Sequence, residues 1–121
     1  MAEIQLGVVE ARFADIIWEN EPVSSSTLVK LAGEQLQWKR TTVHTVLRRL
    51  CDKGLFQNEN GTVTALISRD RFYSMQSEQF VQTAFQGSFP AFLAAFSRNR
   101  PLTDAERELV RQMIDSVEEE P

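Results

Sequence analysis

Residues 38–54, Trp-Lys-Arg-Thr-Thr-Val-His-Thr-Val-Leu-Arg-Arg-Leu-Cys-Asp-Lys-Gly, constrain the fold of this chain more than any other stretch. Val43, Val46, Leu47 and Leu50 recur at i, i+3, i+4 and i+7, the single buried stripe of an amphipathic helix. At about 100° per residue, Thr41, Thr45, Arg48 and Asp52 face directly away from that stripe. Thr42 and Arg49 fall on one flank and His44 on the other. Solvated helix faces usually carry Glu/Lys pairs at i,i+4, but the only carboxylate here is Asp52, near the end. Threonine and arginine reach base edges and phosphates in a major groove, so the sharper reading is a recognition helix. The plainer one is a solvated helix that happens to be basic.

Charge distribution favours the sharper reading. The chain as a whole carries −4, yet residues 36–71 hold seven basic groups (Lys39, Arg40, Arg48, Arg49, Lys53, Arg69, Arg71) against three acidic ones (Asp52, Glu59, Asp70). That local +4 lies between two flanks of −4 each, residues 1–35 and 72–121. One polyanion-facing surface on an otherwise acidic body is the expected consequence.

With 121 residues there is room for one compact domain or a small one with an appendage, and too little for separate substrate and cofactor domains. The start, Met-Ala-Glu-Ile-Gln, lacks the basic segment and apolar run of a signal peptide, and no apolar stretch approaches the roughly 20 residues of a membrane span. A cytoplasmic location without membrane insertion is expected, and the single Cys51 agrees with a reducing compartment.

Along the chain, Val9, Phe13, Ile16 and Ile17 predict a first helix over 6–20, closed ahead of Glu21-Pro22 because proline disfavours helix in the residue before it. Ser24, Ser25 or Ser26 caps a second helix carrying Leu28, Leu31, Ala32 and Leu36. Helix, turn, helix, turn, recognition helix is the order of a helix-turn-helix module. Gly54 stops the third helix. Two strands follow, 55–57 and 62–67, around Asn60-Gly61, a pair that tolerates the positive φ of a type I′ turn. The expected class is therefore mainly α with a small β-hairpin: a winged helix over 1–70 and a helical dimerisation segment over 71–121.

That second segment holds six of the eight phenylalanines within 72–96. Helix starts are predicted at Ser68 and at Thr103-Asp104-Ala105-Glu106, a capping box, with a short apolar stripe of Phe89, Phe92, Leu93 and Phe96 between them. The phenylalanines either pack on the winged helix as one core or bury against a second chain. An interdigitated dimer is preferred, with Phe80, Phe85, Phe89, Phe92 and Phe96 as its core, because short helices cannot bury such stripes on one another alone. Palindromic recognition also calls for a two-fold axis.

From Leu6 to Phe96 the chain resembles the penicillinase-repressor family of bacterial transcription repressors (BlaI/MecI/CopY). The matching pieces are Ile16-Ile17-Trp18, the run Trp38-x-x-x-Thr42-Val43-x-Thr45 with Leu47-x-Arg49-Leu50-x-x-Lys53-Gly54-Leu55, then Leu66-Ile67-Ser68-Arg69 and Phe85-x-Gly87-Ser88-Phe89. The resemblance implies a dimeric winged-helix repressor on a palindromic double-stranded DNA operator of antibiotic-resistance or metal-homeostasis genes, with a membrane sensor protease as a further partner. It places base reading on Thr41, Thr42, Thr45 and Arg48 or Arg49, and Lys39 and Arg40 at the helix start suit phosphates. The wing departs from the family's tyrosine- and arginine-rich pattern: Glu59 would be repelled by phosphate, leaving contacts to Asn60, Thr62 or backbone N–H groups. Copper-sensing members carry cysteine pairs near the C-terminus, where this chain has Glu118-Glu119-Glu120-Pro121. Members switched by proteolysis are cut at an Asn-Phe bond whose counterpart here is Ala95-Phe96.

Catalysis and metal binding find little support. His44 and Cys51 share a helix side, but two turns separate their Cα atoms by about 10 Å, too far for one metal at roughly 2 Å from each ligand atom. There is no second histidine, no nucleophile–base set and no glycine-rich phosphate loop, so neither cofactor nor enzymatic activity is expected. The carboxylate pairs Asp104/Glu108 and Glu118/Glu119 read as a capped first turn and a solvated tail. The alternative from another class is a winged-helix adaptor docking an acidic protein partner through the Thr/Arg face. Protein hot spots favour Trp, Tyr and Arg anchors, and this face has no aromatic residue.

Overall fold

A computed structural model describes residues 5–118, with side chains through 116. The amino-terminal start, the last stripe position Val117 and the acidic tail at Glu118, Glu119 and Glu120 thus lie wholly or in their side chains outside the described residues. The elements run α1 (Val8–Asn20), β1 (Val23–Ser24), α2 (Ser25–Leu36), α3 (Arg40–Asp52), β2 (Phe56–Glu59), β3 (Thr62–Ala65), α4 (Arg69–Phe85), α5 (Phe89–Asn99) and α6 (Asp104–Glu118). Compact packing divides the chain into two units, Met1–Ser77 and Glu78–Pro121.

In the first unit the apolar stripes meet as their spacing demands. Val43 and Leu50 of α3 are fully buried, with Leu47 and Val46 nearly so. They close on Phe13, Ala14, Ile16 and Ile17 of α1 and on Leu28 and Ala32 of α2. Each of the valine, leucine, isoleucine and phenylalanine side chains removed from water contributes about 1.5 to 3 kcal/mol. Val9, expected in the α1 stripe, is instead 50% exposed, because it sits in the first turn, one turn before the helix reaches the core at Phe13. Trp18 completes the buried face, 5.2 Å from Phe56 and 5.6 Å from Phe72 between ring centroids. Its indole N–H donates to the Ile67 carbonyl at 2.9 Å.

Ser24 is the residue that caps α2, its Oγ accepting the Thr27 N–H at 3.0 Å. It also belongs to a strand that the sequence does not signal. Val23 and Ser24 pair antiparallel with Val63 and Thr62, so the sheet has three strands in the order β1-β3-β2, not two. Val23 lies against the core while Ser24 faces out, and two residues are too few for an alternation to be visible. The β2–β3 hairpin pairs Phe56 with Ala65 and Glu59 with Thr62. Asn60 at φ 54° and Gly61 at φ 89° make the expected tight turn, closed by the Gly61 N–H donating to Asn58 Oδ1 at 3.0 Å. Gly54, at φ 86°, ends α3 in the left-handed conformation that only glycine adopts freely.

α4 begins in the first unit, where Ser68 Oγ accepts the Arg71 N–H at 3.1 Å and Phe72 is buried to 2% exposure. Phe72, grouped by sequence with the C-terminal segment, is therefore part of the winged-helix core. In the second unit Phe80, Phe85 and Phe92 meet edge to face, with centroids 5.7 to 6.1 Å apart. Ser88 caps α5 by accepting the Ala91 N–H, and α5 has no fully buried residue.

The capping box at α6 is formed. Thr103 Oγ1 accepts the Glu106 N–H at 3.1 Å, and the Thr103 N–H donates to Glu106 Oε1 at 2.9 Å. Arg100 holds both oxygens of the same carboxylate, at 3.2 and 2.9 Å. Arg100, and then the Thr103 N–H, bring the Glu106 carboxyl down to about 2. A carboxyl with a depressed folded pKa stabilises the fold above its unfolded value and loses that contribution as pH falls through the folded one. Acidification from the ordinary value of 4.5 through about 2 is therefore expected to release this cap. A pH titration of the Glu106 carboxyl by NMR checks it, and Arg100→Ala should move the midpoint upward.

Candidate nucleic-acid interface

Burying Val43, Val46, Leu47 and Leu50 forces the other side of α3 outward. Thr41, Thr42, His44, Thr45, Arg48 and Arg49 are all exposed. Thr45 Oγ1 donates to the Thr41 carbonyl one turn back at 2.9 Å, which fixes its rotamer while leaving its lone pairs free to accept. α3 starts at Lys39 without a side-chain cap and with no acidic residue in its first turn. Lys39 and Arg40 thus add positive charge to the positive end of the helix dipole, an arrangement unfavourable within the chain and favourable toward an anion.

The cations around α3 divide into two groups. Arg49 Nη1 lies 3.2 Å from Glu10 Oε2, and Lys53 Nζ lies 3.7 Å from Glu10 Oε1 while donating to the Gln5 carbonyl at 2.7 Å. The Gly7 N–H, then Arg49 and Lys53, hold the Glu10 carboxyl below its ordinary range against the opposing effect of partial burial. Arg69 is likewise engaged, by Asp15 and Glu19. Among the described residues no ion pair occupies Lys39, Arg40 or Arg48. The ion pairs therefore distinguish Arg48 from Arg49, which the family resemblance left as alternatives. Glu10 is 39 residues from Arg49, and nothing in the local sequence announces that pairing.

The wing completes the site. Asn58 of β2 lines an open groove with His44, Thr45, Leu47, Arg48 and Cys51 of α3. Its Oδ1 is occupied by the Gly61 N–H, so its amide NH2 remains as a donor beside Arg48. Asn58 was the wing position that sequence reasoning passed over, since only the β2–β3 register turns it toward α3. Asn60 and Thr62, the wing contacts expected instead, are exposed at the turn and at the start of β3, as is Glu59. Cys51 is half-buried in the groove floor, and burial followed by the neighbouring Asp52 raises its thiol pKa, so it stays a thiol.

Three helices, a paired wing and a basic outer face on the third helix define a winged helix-turn-helix protein. A family model described as "Penicillinase repressor" matches residues 6–116. The chain belongs to the penicillinase-repressor family, whose members are transcriptional repressors and not enzymes. Among curated relatives, the penicillinase repressor of Bacillus licheniformis is 23% identical over 92% of this chain and 90% of its own length. The methicillin resistance regulatory protein MecI of Staphylococcus aureus (strain Mu50 / ATCC 700699) is 21% identical over 92% of this chain and 94% of its own. MecI of Mammaliicoccus sciuri is 20% identical over the same share. Among the described residues no helix is long and apolar enough to cross a membrane.

Proposed function

We propose that this chain is a sequence-specific DNA-binding repressor that acts as a homodimer on a palindromic operator of antibiotic-resistance or related stress genes. The observation that carries the reading is the outer face of α3: Thr41, Thr42, Thr45 and Arg48 are exposed together, the nearby cations Lys39 and Arg40 are unpaired, and the face opens onto the Asn58 groove. Arg48 and the threonines suit base edges in a major groove, while Lys39, Arg40 and the uncapped helix start suit the flanking phosphates. Dimerisation draws support from Phe80, Phe89 and Phe96, which are 54%, 50% and 39% exposed. Apolar area of that extent is usually covered by a partner surface.

Selection of bound sequences from random duplex DNA tests the reading, with a palindromic consensus as the expected result and no enrichment as the one that overturns it. On the selected operator, Arg48→Ala is expected to relax base preference at one position per half-site and to cost about 1 to 3 kcal/mol there. Arg49→Ala should change base preference little, because its guanidinium is held by Glu10. Lys39→Ala and Arg40→Ala should weaken all sequences alike and reduce the salt slope by about one each. Footprinting across salt concentrations separates these outcomes.

We infer that release of this repressor does not run through a cut at the counterpart of the Asn-Phe bond. Ala95 and Phe96 lie inside α5, and Ala95 is half-buried, so the bond is neither the preferred dipeptide nor extended. No fragment ending at Ala95 is expected in cells treated with a cell-wall antibiotic, and relief of repression then takes another route. Immunoblotting after induction checks this, and a fragment ending there would show that the protease accepts alanine in a helix.

A further inference from the structure

Glu10, in the first turn of α1, is a carboxylate that the fold brings against the cations at the far end of α3. Its position is set from α1 itself. Glu10 Oε1 accepts the Gly7 N–H at 3.0 Å, satisfying a backbone donor at the helix start whether or not a cation is near. The same oxygen lies 3.7 Å from Lys53 Nζ, and Oε2 lies 3.2 Å from Arg49 Nη1. Lys53 also donates to the Gln5 carbonyl, which ties the residues ahead of α1 to the end of α3. An isolated surface ion pair contributes little, whereas a network of several charges holds its geometry. Here the Glu10 side chain is only 19% exposed and engages a backbone donor and two cations at once. One carboxylate therefore cancels one of two positive charges and occupies the Arg49 guanidinium, next in sequence to the unpaired Arg48.

We propose that Glu10 is a specificity-determining residue: by holding Arg49 it keeps a phosphate-seeking cation off the duplex and so lowers sequence-independent binding more than operator binding. The proposal rests on the DNA-binding reading above. Specificity is a difference between two affinities, and it rises when the unwanted one falls. A cation that reaches phosphate strengthens binding without carrying sequence information. A complex held by phosphates alone can shift along the duplex until a freed guanidinium meets one. An operator complex is fixed in register by Arg48 and the threonines, so the same guanidinium gains less there. Glu10 thus leaves the positive charge of the outer face to Lys39, Arg40 and Arg48, the residues suited to base edges and the flanking phosphates.

Glu10→Gln is the informative variant, because glutamine keeps an acceptor oxygen for the Gly7 N–H and loses only the charge. Full-length wild type, Glu10→Gln, Arg49→Gln and the double variant Glu10→Gln/Arg49→Gln are titrated across salt concentrations against the selected operator and a random-sequence duplex of equal length. Thermal unfolding reports the fold. Glu10→Gln is expected to steepen the salt slope on the random duplex by about one and to tighten that binding about eightfold at roughly 0.1 M salt. Its gain on the operator should be about threefold or less. The double variant should return the slope to the wild-type value, and Arg49→Gln alone should leave it unchanged, since Glu10 already holds that guanidinium. A folded Glu10→Gln whose random-duplex binding is unchanged or weaker would overturn the proposal and make Glu10 a tie within the fold. An equal gain on both duplexes would remove its role in specificity. A slope lowered by about one in Arg49→Gln would show that Arg49 leaves Glu10 for DNA, and that result decides the matter even if Glu10→Gln fails to fold. A wild type that binds the two duplexes alike, or neither, would instead sink the reading beneath, before any variant is made.

Discussion

Removal of residues 78–121 is expected to leave a folded, monomeric winged helix whose affinity for a palindromic operator falls by about 100- to 10,000-fold. The boundary follows from packing: the first compact unit runs to Ser77, and its core includes Phe72. A single DNA-reading unit engages one half-site and should bind near the non-specific regime of about 10⁻⁴ to 10⁻⁶ M. Two joined units add the second half-site at an effective concentration in the millimolar range for a short tether. The apolar residues lost with the truncation include Phe80, Phe89, Phe96, Leu109, Met113 and Ile114, all large and all at least 39% exposed in the single chain. Sedimentation at micromolar concentration, paired with titration of palindrome and half-site, measures the effect. A wild-type monomer that still binds the palindrome tightly would show that these side chains serve no dimer.

Phe72→Ala and Phe80→Ala should part company, although sequence places both residues in one phenylalanine-rich segment. Phe72 is buried to 2% exposure against Trp18 and Tyr73, with centroids 5.6 and 5.2 Å away. Truncating it leaves a cavity beneath the indole and is expected to destabilise the winged helix by about 3 to 5 kcal/mol. That is a large share of the roughly 5 to 15 kcal/mol that holds a typical domain. Phe80 is 54% exposed, so its removal should change the stability of one chain by about 1 kcal/mol or less. If it lies in the dimer contact, the same change should weaken association tenfold or more, as aromatic anchors at interfaces do. Denaturant unfolding at a concentration where the chain is monomeric, followed by sedimentation, separates the two. Equal stability losses would mean that Phe80 is buried within its own chain.

The first unit was largely legible in the sequence because its signals are local. The α3 stripe of Val43, Val46, Leu47 and Leu50, the stop at Gly54 and the Asn60-Gly61 turn each depend on residues within a few positions of one another. So did the outward placement of Thr41, Thr45 and Arg48, since a helix that buries one stripe must expose the opposite one. The family resemblance, carried by short runs such as Thr42-Val43-x-Thr45, covers the same elements and continues into the second unit at Phe85-x-Gly87-Ser88-Phe89.

Tertiary structure decided what depends on residues far apart in the chain. Which of two adjacent arginines is free was settled by Glu10, an α1 carboxylate that takes Arg49 and leaves Arg48 unpaired. The strand at Val23–Ser24 exists only because Val63 and Thr62 pair with it, and two residues carry no period of their own. The place of Phe72 in the winged-helix core was set by Trp18, 54 residues earlier, and not by the phenylalanines that follow it. Asn58 turns toward α3 through the register of β2 on β3. Periodicity reports which side of an element is buried, because a helix or strand repeats its own geometry. It carries no information on which distant group arrives at that side, and here those distant groups determine which charges stay free and where the core ends.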